Sequence, residues 1–241
     1  MSPLYWFLKY IVVGPLLHVF FRLRVRGLQN LPKTGQVIVA SNHLSAIDSF
    51  FIPIALPRKM TFLAKAAYFQ GTGLVGRFVA GFLRSIGQIP LDRSGGAASS
   101  DSLNSGLVAL SNGAALGIYP EGTRSPTGSL YRGKTGIARM VLAAGVPVIP
   151  IAVHGTNRVM AKGARFRSLA RVTVTVGDPL DFSRFQGLDN DRFILRAITD
   201  EVMLNILALS GQDYVDVYAS TVKKNDEFDP QREEVTAAAL S

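Results

Sequence analysis

The sequence predicts an α/β domain built on a largely parallel, seven-stranded sheet flanked by helices. Three observations predict it. Seven short apolar, β-branched runs recur along the chain, at 21–26, 36–41, 60–64, 86–91, 115–119, 148–153 and 171–176. Helical patterns fill the gaps, at 47–56, 66–83, 100–111, 136–144 and 191–209. Strands alternating with helices are the pattern of a parallel sheet covered on its faces. Finally, 241 residues of 48% hydrophobic content can bury one substantial core, so one main domain is expected, at 21–222.

The chain opens on an element of a different kind. Residues 3–21 (PLYWFLKYIVVGPLLHVFF) are mostly apolar and aromatic, and Arg22, Arg24 and Arg26 follow. A cleaved signal peptide carries its positive charge before the apolar run and small residues after it. A spanning helix needs about 20 apolar residues, and this run is interrupted by Lys9, Pro15 and His18. Tyr5, Trp6, Phe7 and Tyr10 suit the headgroup boundary. Residues 2–20 therefore read as a helix or broken helix pair lying in a membrane interface, a membrane-associating element over 1–20. An ordinary core helix and a true span are the alternatives.

Among the strands, 21–26 and 171–176 alternate strictly (FRLRVR and RVTVTV), the mark of half-exposed or edge strands. The runs between them are more continuously apolar, as buried central strands are. Residues 70–81 carry four glycines, which weakens any helix there. Residues 94–100 (SGGAASS) read as a flexible connector, and 223–241 as a polar, flexible tail. There is no internal repeat.

The composition removes whole classes of function. Without cysteine there is no disulfide scaffold, thiolate zinc site or cysteine nucleophile. The net charge of +9 attracts polyanions. A mean hydropathy of +0.24 is high for a soluble nucleic-acid binder, and no nucleic-acid module is visible. Basic and apolar together point to an anionic membrane surface and not to nucleic acid.

Residues able to do chemistry follow the strands. After 36–41 comes Asn42-His43-Leu44-Ser45-Ala46-Ile47-Asp48. Ser45 is a good N-cap, and Asp48 three residues later has capping-box spacing for a helix beginning near Ala46. His43 then lies in a strand-to-helix turn at the carboxyl end of a strand, where open α/β sheets bind ligands. Asp48, in the first helical turn, is favoured as an anion and can fix the imidazole tautomer. The plainer alternative is a cap and a turn residue. Arg93 ends the run Gly87-Gln88-Ile89-Pro90-Leu91-Asp92-Arg93; such an Arg is usually solvated or ion-paired, and Asp92 is a ready partner. Pro90 lacks a backbone donor, which marks an edge strand or a bulge. In Tyr119-Pro120-Glu121-Gly122-Thr123-Arg124-Ser125, Glu121 and Arg124 flank a glycine turn and can point back over the strand end. A surface turn with a local Glu–Arg pair is the alternative. Arg offers a planar fork suited to phosphate oxygens. Lys134, in Gly133-Lys134-Thr135-Gly136, opens a helix whose backbone N–H groups favour an anion. Gly128 with Gly133-Lys134-Thr135 matches the nucleotide-loop spacing, but Gly128 follows a polar turn instead of a strand, so the match is read as chance.

These blocks resemble, in order, those of the glycerolipid acyltransferase family, which includes the 1-acyl-sn-glycerol-3-phosphate acyltransferases. Its N-H-x4-D motif is matched by Asn42, His43 and Asp48. Its glycine-to-arginine block resembles residues 87–93, and its E-G-T-R block is matched by Glu121, Gly122, Thr123 and Arg124. Its apolar, proline-bearing strand resembles 146–153, with Lys134 and Gly136 matching the lysine-glycine element before it. The resemblance covers roughly residues 20–180. It implies that His43 is a general base and Asp48 orients it. It further implies that Arg93, Arg124 and Lys134 hold an acceptor phosphate, with Glu121, Gly122 and Thr123 on the acceptor side and residues 146–153 along the acyl path.

The implied partners are an acyl thioester donor, acyl-CoA or acyl carrier protein, and a phosphorylated glycerol or lysophospholipid acceptor. No resident cofactor or metal is implied. The implied location is the cytoplasmic face of the cell membrane, and the implied product is phosphatidic acid. Three rivals remain: glycerol 3-phosphate as acceptor, a transacylase working between phospholipids, and a non-catalytic anionic-lipid-binding protein.

Overall fold

The run Val37–Ser41 (VIVAS) is buried at every position because its side chains alternate between two helical layers. Ile38 and Ala40 belong to one core, Val37 and Val39 to the other. This strand, β2, is the centre of a seven-stranded sheet. The computed structural model describes residues 6–65, 69–71, 73, 76–77, 80–81, 88–91, 97–160 and 166–222. Within them the strands are β1 (Arg24–Arg26), β2 (Val37–Ser41), β3 (Met60–Lys65), β4 (Ile89–Leu91), β5 (Ala115–Ile118), β6 (Leu130–Tyr131), β7 (Val148–His154), β8 (Thr173–Val176) and β9 (Tyr214–Val215). The helices are α1 (Gly14–Phe21), α2 (Asp48–Ala55), α3 (Ala97–Ser111), α4 (Gly136–Ala144), α5 (Thr156–Val159) and α6 (Arg192–Ser210).

The sheet order is β1-β8-β7-β2-β5-β3-β4, and every pairing in it is parallel except β7 with β8. All seven apolar runs therefore appear as strands. Residues of α3, α4 and α6 cover one face, among them Leu110, Met140, Val141, Ile198 and Ile206. The other face is covered by α2 through Phe51 and Ile52, with Leu17 and Phe21 of α1 packed at its margin. The result is the expected three-layer arrangement.

Several details depart from the sequence reading. Residue 21 ends α1, and Arg22 turns the chain at φ 47°, so β1 is shorter than the run 21–26. β1 is an edge strand, but β8 is not: it lies between β1 and β7, and its half-exposed alternation reflects incomplete cover on one face. β4 is the other edge, which accommodates the missing N–H of Pro90. α3 begins at Ala97, inside the expected connector 94–100. Most of the expected helix at 66–83 and the whole tail 223–241 lie outside the described residues. A small parallel pair, β6 with β9, returns the chain after α6 to the segment after β5. Two-residue strands carry no readable period.

The N-terminal element is one run of helix, because the π-helical stretch Leu8–Val13 leads directly into α1 and Pro15 sits at the junction, where its missing N–H is tolerated. Phe7, Tyr10, Ile11, Leu16, Val19 and Phe20 are exposed along it. Among the described residues no helix is long and apolar enough to cross a membrane. Lys9 points inward. Its Nζ donates to the carbonyls of Pro53 (2.8 Å), Leu56 and Arg58 (3.3 Å), at the carboxyl end of α2. A cation there offsets the helix dipole, and the Trp6 and Tyr10 rings lie 5.4 and 5.7 Å from the same nitrogen.

Burial lowers the Lys9 ammonium from its ordinary 10.5 to about 8. Between those values the unfolded chain binds a proton that the folded chain has released, so this group's contribution to stability rises with pH. Below about 8 both states are protonated and the contribution is constant. Lys9→Met is expected to remove that rise. Urea midpoints of wild type and variant at pH 8 and about pH 10 check it, and parallel changes in the two proteins would refute it.

Candidate active site

β2 and β5 are parallel neighbours with Ala40 opposite Ile118. His43 and Glu121 each lie three residues beyond that pair, so both emerge at one edge of the sheet. This is the carboxyl edge, where open α/β sheets carry their ligand crevices.

Asp48 organises the turn after β2. Its Oδ2 accepts hydrogen bonds from the backbone N–H of Leu44 (2.7 Å) and Ser45 (2.8 Å) and from His43 Nδ1 (2.8 Å). A carboxylate can only accept, so the proton between them is assigned to Nδ1 and Nε2 keeps its lone pair. The Asp48 side chain is fully buried, and that of His43 is 16% exposed. Oδ1 of Asp48 is buried with no hydrogen-bond partner. The capping box expected at Ser45 forms only in half. The carboxylate reaches back to the Ser45 N–H, but the Ser45 hydroxyl donates to the Met160 carbonyl (2.8 Å), and α2 starts at Asp48 without a side-chain cap. Ser45 is drawn away because α5 packs its end against this turn.

The segment after β5 grips His43 through its backbone. Glu121 is fully buried; its Oε1 accepts from His43 N–H (3.1 Å) and its Oε2 from Tyr131 N–H in β6 (3.0 Å). Ser125 N–H donates to the His43 carbonyl (2.7 Å). Both backbone groups of His43 are thus bonded to residues 121–125. Glu121 directs its carboxylate at the backbone donors of His43 and Tyr131.

Gly122 turns the chain at φ 73°, and the stem of Lys134 lies 3.1 Å from where a Cβ would stand. Any other residue there would meet both backbone strain and the lysine. Lys134 is exposed, Thr123 and Arg124 half-buried. Among the described residues, no acidic side chain pairs with Arg124 or Lys134. The local Glu–Arg pair considered from the sequence is therefore not what holds this turn. Arg93 lies outside the described residues. The nucleotide-loop match is accidental in structure too, because β6 runs through it between Gly128 and Gly133.

Three residues of the site carried no role in the sequence reading. Tyr119 stacks on His43 with ring centroids 3.9 Å apart and planes 11° from parallel. Its hydroxyl meets the Ser49 hydroxyl at 3.1 Å, and burial, then the Asp48 charge, push the phenol well above its ordinary range. Asn42 is fully buried and continues the β2–β7 ladder with its side chain, accepting from Val153 N–H (2.8 Å) and donating to Val153 C=O (3.0 Å). Its amide also donates to Gln212 Oε1 (2.7 Å), and Gln212 Nε2 donates to the Gly128 carbonyl (2.5 Å). An aromatic immediately after a strand is a readable signal for Tyr119. Gln212 has none, since it reaches the site across 170 residues of sequence.

Comparison with known proteins places these residues in context. The family model described as Acyltransferase matches residues 22–154. The chain is similar to the 1-acyl-sn-glycerol-3-phosphate acyltransferase of Bacillus subtilis, at 27% identity over 79% of this chain and 89% of that protein. It is similar to the alpha form from Mus musculus at 31% identity, over 78% of this chain and 63% of that one. The chloroplastic enzyme LPAT1 of Arabidopsis thaliana is 28% identical over 73% of this chain, which spans 48% of that relative's length. The fold resembles the crystal structure of the 1-acyl-sn-glycerophosphate (LPA) acyltransferase PlsC from Thermotoga maritima, with a TM-score of 0.56 at 23% identity over 83% and 86% of the two chains.

Removing the Glu121 carboxylate leaves one buried backbone donor, Tyr131 N–H, and one half-buried donor, His43 N–H, without acceptors. Glu121→Ala is expected to cost at least about 2 kcal/mol of unfolding free energy, and Glu121→Gln to recover roughly half of that by keeping one acceptor. Arg124→Ala is expected to stay within about 0.5 kcal/mol of wild type. Urea denaturation of the three variants measures the contrast; equal stability of Glu121→Ala and wild type would refute it.

Proposed function

The chain belongs to the Acyltransferase family, and on that premise we propose that it moves a fatty acyl group from a thioester onto the free hydroxyl of 1-acyl-sn-glycerol 3-phosphate. The observation that carries this reading is the 2.8 Å bond from His43 Nδ1 to buried Asp48, which leaves the lone pair of Nε2 to take a proton. The relatives from Bacillus subtilis and Mus musculus, both 1-acyl-sn-glycerol-3-phosphate acyltransferases, support the same acceptor.

The chemistry follows from the groups present. A hydroxyl is a weak nucleophile near neutral pH. Nε2 of His43 removes its proton as the oxygen attacks the thioester carbonyl. Asp48, anionic and buried, stabilises the imidazolium that forms. The C–S bond then breaks, and the imidazolium returns the proton to the departing thiolate. One ester and one thiol result, with no acyl-enzyme and no resident cofactor. Arg124 and Lys134 hold the acceptor phosphate; their guanidinium and ammonium are not committed to acidic partners among the described residues. Arg93, two residues beyond β4, is assigned to the same phosphate.

The exposed apolar side of the helical run 8–21, with Arg22, Arg24 and Arg26 just after it, supports a resting place on an anionic bilayer. A water-soluble donor, acyl-CoA or acyl carrier protein, would be met at the cytoplasmic face, which is the location this reading favours.

His43→Ala is expected to lower turnover by about 10²–10⁴-fold while keeping the fold, measured by mass spectrometry of the product with acyl-CoA and with acyl carrier protein as donors. Near-normal turnover in a folded variant would sink the assignment. Arg124→Ala is expected to raise the acceptor Michaelis constant more than the donor's; the reverse would contradict the phosphate role. Supplying glycerol 3-phosphate in parallel decides between the two acceptors.

A further inference from the structure

His43 is held on three sides. Asp48 bonds its Nδ1 edge, residues 121 and 125 hold its backbone, and Tyr119 lies under its face. The third contact is built with some care. β3 and β5 pair with Phe62 opposite Gly117, and a Cβ at Gly117 would stand 2.3 Å from the Phe62 ring. Gly117 therefore makes room for Phe62, whose ring packs on Tyr119 at 5.4 Å and 25°. The three rings form one stack, Phe62 to Tyr119 to His43, seated on two neighbouring strands. The Ser49 hydroxyl, one residue beyond Asp48, fixes the far end of the tyrosine at 3.1 Å.

We propose that Tyr119 is a positioning residue for His43: its ring fixes the imidazole plane so that Nε2 faces the acceptor hydroxyl, and its π-face attracts the imidazolium formed when the proton is taken. Among the described residues, the charged or titratable groups in contact with His43 are Asp48 from α2 and Glu121 and Tyr119 from the segment after β5. Of these, only Tyr119 meets the face of the imidazole among the described contacts. A cation over an aromatic face is stabilised by the ring quadrupole, and the more so where water is excluded. The Tyr119 phenol takes no part in proton transfer. Its hydroxyl is engaged with Ser49, and desolvation together with the Asp48 charge keeps it protonated.

This role rests on the acyl-transfer reading for its consequence in turnover, but the stack can be tested apart from it. The chain has three histidines, His18, His43 and His154, so the His43 imidazole can be assigned by NMR in detergent micelles using a His43→Gln control. Tyr119→Leu removes the ring and keeps apolar bulk; Tyr119→Phe keeps the ring and loses the bond to Ser49. In Tyr119→Leu the His43 titration is expected to move to lower pH than in wild type, with Tyr119→Phe lying nearer wild type. Turnover is expected to fall about 3–30-fold in Tyr119→Leu, the scale of one desolvated cation–π contact, and less in Tyr119→Phe. The acceptor Michaelis constant should change less than turnover, and the acid limb of the pH–rate profile should shift in the same direction as the titration. An unmoved titration with unmoved turnover in folded Tyr119→Leu would overturn the proposal. So would equal losses in the Leu and Phe variants, which would trace the effect to the hydroxyl. Should Tyr119→Leu fail to fold, Tyr119→Met serves with the same expected results. A wild type that transfers no acyl group would defeat the acyl-transfer reading, and the NMR titration would still decide the stack.

Discussion

The site depends on one buried oxygen. Asp48 Oδ2 takes three hydrogen bonds, two from the backbone of the turn after β2 and one from the imidazole it carries. The same atom therefore shapes the turn and sets the tautomer, so His43 cannot be misoriented without unmaking the turn. The arrangement also leaves an electrostatic demand. Taking a carboxylate out of water is costly unless hydrogen bonds or charge compensate, and Oδ1 has no partner. An imidazolium at His43 supplies the missing positive charge at the moment the proposed reaction makes one. A charge relay is not needed for this; the carboxylate stays ionised while its neighbour changes state.

Around that oxygen, the sheet does the aligning. Because β2 and β5 are parallel neighbours in fixed register, residues the same distance beyond each strand arrive side by side. His43 and Glu121 meet for that reason, and the Glu121 carboxylate then ties the first turn to β6. Beyond β6 the chain returns through β9, where Gln212 joins Asn42 to Gly128. The functional loops of two strands are thus cross-linked by buried polar groups instead of by apolar packing. Such networks hold a geometry well only when their members are satisfied, and here the amides of Asn42 and Gln212 and both oxygens of Glu121 all find partners.

What could be read in the sequence follows this division. The seven strands were legible because burial on both faces of a parallel sheet leaves continuous apolar runs, and two of the edges showed themselves by FRLRVR alternation and by Pro90. α4 and α6 were legible from their helical period, and in the structure Asp191 caps α6, accepting from Phe193 N–H and Ile194 N–H. His43 with Asp48 was legible because the partners are five residues apart and their geometry is local. Glu121 was found as a residue, but nothing in EGTR says that its carboxylate turns inward to the backbone of another strand's loop. The ring stack was hidden for a related reason. Tyr119, Phe62 and Gly117 come together only through the β3–β5 register, which no single segment encodes. Ser45 was misread because α5, more than a hundred residues on, competes for its hydroxyl.

Lys9 shows how the two ends of the molecule's logic meet in a single helix. α2 begins with Asp48, whose charge suits the positive end of a helix, and ends at carbonyls that receive the Lys9 ammonium, which suits the negative end. Eight residues of helix separate them, roughly 12 Å. The element proposed to rest on the bilayer is therefore fastened to the same rigid body that presents the carboxylate to His43. Phe21 adds an edge-on contact with Phe51 at 5.4 Å, so the fastening is apolar as well as ionic. An acceptor with an acyl tail in the membrane and a hydroxyl near the headgroups has little distance to travel to such a site. An ordinary aliphatic residue at position 9 would pack against α2, but it would leave three carbonyls at the helix end without the donor they now share. That is the physical reason for a lysine in the middle of an otherwise apolar run.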